Sequence, residues 1–71
     1  MYIVVELQKN EQGVVSNIVT AYDALAEAES KYYTILASAA ISKVPVHSAI
    51  IVSEEGFPVQ HQCYKHEPYA L

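Results

Sequence analysis

Only one stretch of this chain, residues 23–42, has a helical period; nearly everything else alternates like strand. A single helix can shield one side of one small sheet, and that limit governs what the remaining residues can become. Leu25, Ala28, Tyr32, Ile35, Leu36 and Ala39 recur at three- and four-residue steps and so share a face. Glu27, Ser30, Lys31, Thr34 and Ser38 fall opposite. Glu27 stands four residues ahead of Lys31, the order that favours an exposed ion pair. Asp23 is expected to cap the helix, its carboxylate accepting from the first free N–H groups. Ser42-Lys43-Val44-Pro45 ends it, because Pro45 cannot donate and biases Val44 towards extended backbone.

Ahead of the helix, residues 2–8 read as a strand with Ile3, Val5 and Leu7 on one face and Tyr2, Val4 and Glu6 on the other. The polar run from Lys9 to Gly13 reads as a hairpin loop. Residues 14–22 form a second strand whose two faces both mix apolar and small polar side chains, so alternation does not set its register. After the helix, residues 46–53 place Val46, Ser48, Ile50 and Val52 on one side and His47, Ala49, Ile51 and Ser53 on the other. That near-continuous apolar run suits a central strand. Glu54-Glu55-Gly56 closes a hairpin with Gly56 left-handed, and residues 57–65 make a fourth strand that Pro58 confines to an edge. From His66 the chain is a tail, with Pro68 ending regular structure.

The order is ββαββ, an α+β fold in one domain spanning residues 1–71. A right-handed crossover from strand two to strand three leaves room between them for strand one. The expected sheet is therefore antiparallel throughout, in order 4-3-1-2, with the helix on one face. A chain this short buries only ~60% of the surface its unfolded form exposes. Cys63 is its only cysteine, so no internal disulfide can supplement the core. Yet 52% of the residues are hydrophobic. Tyr2, Val4 and one side of strand three are expected on the uncovered face, shielded by a second copy in a homodimer or higher oligomer.

The formal charge of −4, with four lysines and no arginine, argues against nucleic acid as a partner. No apolar stretch approaches the ~20 residues of a membrane span, and the first residues lack the basic and apolar regions of a signal peptide. A soluble intracellular protein is the expectation. If strands three and four pair directly from the Glu54–Gly56 loop, His47, His61 and Cys63 share a face with zinc- or copper-binding potential. A half-buried strand with polar residues at a seam is the favoured reading, since paired-ligand spacing is missing; no metal or other cofactor is implied. Cys63 with His61 or His47 could pair as nucleophile and base, but a chain this small can hardly supply the orienting group and the cleft. Glu54 and Glu55 read as a solvated turn, and both glycines belong to turns, so no phosphate loop exists.

Tyr32 belongs to the core stripe, whereas Tyr33 lies off it. Tyr64, Lys65, His66 and Tyr69, with His47 and Lys43, combine flat rings and cationic tips. Such a set can stack a base and hold a phosphate, or can line a protein seam.

Tyr2-Ile-Val-Val-Glu, Val19-Thr-Ala-Tyr-Asp, Ala28-Glu-Ser-Lys-Tyr, Val44-Pro-Val-His, Glu54-Glu-Gly and Cys63-Tyr-Lys-His-Glu-Pro together resemble a group of small proteins of prophages and gut Firmicutes. The resemblance covers almost the whole chain and carries no activity or site residue. It implies a phage product acting in the host bacterial cytoplasm. The expected function is non-enzymatic: a homo-oligomer sequestering a nucleotide-like host immune signal between subunits, as an anti-defence protein. The alternative is a virion or assembly component, or an inhibitor of a host protein, acting through its surface alone.

Overall fold

The computed structural model describes residues 1–66. Its elements are β1 (Tyr2–Lys9), β2 (Val15–Tyr22), α1 (Leu25–Ile41), β3 (Val46–Ser53) and β4 (Pro58–Lys65). The four strands form one antiparallel sheet in the order β2-β1-β3-β4, which is the expected order read from the other edge. The α1 helix packs on one face, chiefly over β1 and β3. Its expected stripe is the buried one: Ala28, Tyr32, Ile35, Leu36 and Ala39 are buried, the first four of them closing over Val4, Ala49 and Ile51.

That packing reverses the expected assignment of faces. Tyr2 and Val4 lie under the helix, and Val4 is fully buried. Alternation separates a strand's two faces but cannot say which one the helix takes. The face left open carries Ile3, Val5 and Leu7 of β1, Val15 and Val19 of β2, and Val46, Ile50 and Val52 of β3, as the register requires. It is the more apolar of the two.

Asp23 does not cap the helix. The cap position falls on Ala24, in extended conformation and without a side-chain bond, because α1 starts at Leu25 and leaves Asp23 one residue too early. The Glu27–Lys31 ion pair also does not close.

Both hairpins turn on a glycine. Gly13 (φ 84°) and Gly56 (φ 86°) take the left-handed conformation that a side chain would disfavour. In the first, the Asn10 side-chain oxygen accepts from the N–H groups of Gln12 and Val14, each at 2.9 Å, and holds the loop closed. Asn10→Ala should cost about 1 kcal/mol, since loop N–H groups can rehydrate. In a domain this size the melting temperature should fall by about 4–8 °C, read by circular dichroism.

The second hairpin starts as expected, Ser53 N–H donating to Phe57 O at 2.8 Å. Then β4 slips by one residue. Val52 pairs with Pro58 but Ile51 pairs with Gln60, so Val59 is the extra residue of a bulge. A one-residue slip sends every later side chain to the other face.

Candidate functional site

The slip decides the first candidate site. His47 lies opposite Tyr64 on the helix side, whereas His61 pairs with Ile50 and Cys63 with Ser48 on the open side. The expected shared face of His47, His61 and Cys63 does not exist, and neither does the nucleophile–base pairing of Cys63 with His47. Among the described residues no group of three His, Cys, Asp or Glu could hold a metal ion.

What His47 does instead is set by its neighbours beneath the end of α1. It is buried, its Nε2 lies 2.7 Å from Glu6 Oε2, and its Nδ1 lies 3.1 Å from Ser42 Oγ. A carboxylate can only accept, so Nε2 carries the proton that Glu6 receives. Gln8 Nε2 donates to the same Glu6 oxygen at 3.2 Å, and Ser42 Oγ accepts from Val44 N–H at 3.2 Å. Neither Glu6 nor Ser42 stood among the sequence candidates. A signal existed: Glu6 alternates with Tyr2 and Val4, and a carboxylate on a strand face covered by a helix needs a partner.

A serine, histidine and carboxylate in series resemble a nucleophile relay, but two of the backbone donors beside Ser42 are already engaged. Ser42 N–H donates to Ala39 O at 3.3 Å and Val44 N–H to Ser42 Oγ, so neither points at a developing oxyanion. The series works as a staple, joining the C-terminus of α1 to β3 and β1. His66 adds a second. Its backbone N–H donates to Pro45 O at 2.9 Å and its Nε2 donates to Ala39 O at 2.7 Å, satisfying a carbonyl of the last helical turn. The His66 ring stacks on Tyr64 at 6.3 Å with planes 5° apart. Tyr33, off the stripe as expected, is exposed and accepts from Gln60 Nε2 at 2.8 Å.

The candidate ligand residues therefore divide. His47, Tyr64 and His66 serve the helix side, while Lys43 and Lys65 are exposed; Tyr69 lies outside the described residues. The lysines have company that the linear sequence hides. Lys9 and Lys65 both pair with Val46, one from each side, and so flank it on the open face. Lys43 precedes Pro45 by two residues. Three of the chain's four lysines thus gather at one end of the sheet. There an open cleft of about 400 Å³ runs between the β1–β2 loop, Lys9 to Gly13, and the start of β3 at Pro45 and Val46. Glu11 is the one carboxylate lining it. Asp23, Glu54 and Glu55 stand at the other end of the strands, where Glu54 accepts from the Met1 ammonium at 2.6 Å.

The chain matches no family model, and neither a curated protein nor a solved structure is significantly similar to it.

Proposed function

We propose that the chain is a non-enzymatic binding protein that works as a homo-oligomer and takes up an anionic, nucleotide-like small molecule between its subunits. The observation that carries this reading is an open cleft lined by Lys9 and Val46 at the rim of an uncovered apolar sheet face, with Lys65 paired to the same Val46 and Lys43 two residues ahead of Pro45. Apolar patches beyond a few hundred Å² are unusual on monomers. Hiding ~400 Å² on each of two copies would contribute ~20 kcal/mol gross, against ~4–15 kcal/mol for the freedom lost on association. Lysines brought together by that association supply charge-assisted bonds for phosphate. The prophage resemblance makes a host immune signal a fitting cargo, removed by stoichiometric binding rather than turnover.

The test is incubation of the purified protein with cyclic nucleotides and ADP-ribose derivatives. A ligand at a hundred times its Kd stabilises the folded state by about 2.7 kcal/mol, and so should raise the melting temperature by roughly 10–20 °C. Lys9→Glu and Lys65→Glu should each abolish the shift without unfolding the protein. No shift and no depletion of any compound would leave surface binding to a macromolecule as the function.

A further inference from the structure

The two edges of the sheet differ in kind. β4 carries Pro58, a bulge, and His61 and Lys65, the devices that keep an edge strand from recruiting another. β2 has none of them. It contains no proline, glycine or charged residue, pairs with β1 through all eight positions without a register shift, and is exposed along most of its length. Among the described residues β1 is its one neighbour, so its outer row of N–H and C=O groups faces away from the sheet. Nor is the middle of β2 covered from above. Because α1 lies over β1 and β3, Ile18 on the helix side remains 56% exposed, while Val19 on the open side is 60% exposed.

We infer that β2 pairs antiparallel with β2 of a second copy, about a two-fold axis perpendicular to the sheet, to make one continuous eight-stranded sheet. The occupant is a copy of this chain because the strand complements itself. Opposed residues of an antiparallel pair share a face, so even-numbered positions must meet even-numbered ones. Registers centred near the middle of the strand then place Ile18 on or beside the axis, where its exposed side chain meets its counterpart or Thr20. No like charges are forced together, since β2 has no charge. Antiparallel pairing also brings Asp23, directly after β2, to the end of the partner's β2 that adjoins Lys9, which is electrostatically complementary. Both helices fall on one side, and the two open faces merge into one. The inference rests on the self-association reading but not on the ligand.

Hydrogen exchange and light scattering on the full chain, over a range of concentrations, test it. The expected result is a dimer in which amide protection along β2 rises with concentration. Ile18→Lys, off the open face, should weaken dimerisation at least tenfold and remove that protection while the circular dichroism spectrum is unchanged. Leu7→Lys, on the open face, should leave β2 protection intact even if face-to-face association and ligand uptake are lost. β2 amides that exchange equally fast at every concentration would overturn the inference. So would a dimer indifferent to Ile18→Lys, or protection that appears only when an unrelated extended peptide is added.

Discussion

Tyr32→Ala should leave the protein at the edge of unfolding under conditions where the parent is fully folded. Tyr32 is 1% exposed and is the largest side chain buried between α1 and the sheet. Removing a buried aromatic ring of this kind costs about 3–5 kcal/mol, part transfer free energy and part cavity. At about 0.05–0.15 kcal/mol per residue, a chain of 71 residues has a total stability of roughly 4–10 kcal/mol. The substitution therefore removes between about a third and all of it. Urea titration followed by circular dichroism reads the loss; a cost below about 1 kcal/mol would mean that the helix is not seated on Tyr32. Tyr32→Phe keeps the ring and separates a second effect. Burial, and secondarily charge repulsion from the neighbouring Tyr33 and Tyr64 phenolates, raise the Tyr32 pKa above its ordinary value of 10.0. The neutral phenol is thus the form the fold favours. Its contribution is complete below pH about 10 and is lost as pH rises through the higher folded-state pKa. The Phe variant should lose less stability than the parent as pH rises above about 10.

The core around Tyr32 was legible in the sequence because a 3.6-residue period against a two-residue period identifies a helix among strands. Short loops and crossover handedness then leave one simple sheet order. What stayed hidden has local causes. Strand β1 is apolar on both faces, so Val4 and Val5 gave no contrast by which to choose the side the helix covers. In β4, Gln60 and Gln62 alternate with His61 and Cys63, and with no clearly hydrophobic set a slip at Val59 leaves the pattern equally plausible. That one bulge dissolved the metal-like trio. It also left His47 opposite Tyr64 rather than Cys63. The lysine end was hidden for another reason: Lys9 and Lys65 are 56 positions apart, and only the common pairing with Val46 brings them together.

His47→Leu is the second large effect, and its logic is that of a severed buried pair. The Glu6 side chain is 15% exposed and its Oε2 receives His47 Nε2–H at 2.7 Å. Leucine in place of His47 fills similar space but strands a carboxylate beneath the helix. It also removes the link to Ser42 that ties the helix end to the sheet. Breaking a buried pair from one side typically costs about 3–5 kcal/mol. Gln8 still donates to Glu6 and some water reaches it, so the low end, about 3 kcal/mol, is expected here. Glu6→Leu leaves an imidazole that Ser42 still engages through Nδ1 and should cost less, about 1–2 kcal/mol. With both replaced, the two leucines meet diagonally across β1 and β3 next to Val4 and Ala49, and no polar atom of the pair remains to be desolvated. The double variant should therefore be more stable than His47→Leu alone, giving a coupling energy of more than about 1 kcal/mol in a double-mutant cycle. Strict additivity of the two losses would show that His47 and Glu6 do not depend on each other, and the staple would have to be assigned to His66 and Ala39 alone.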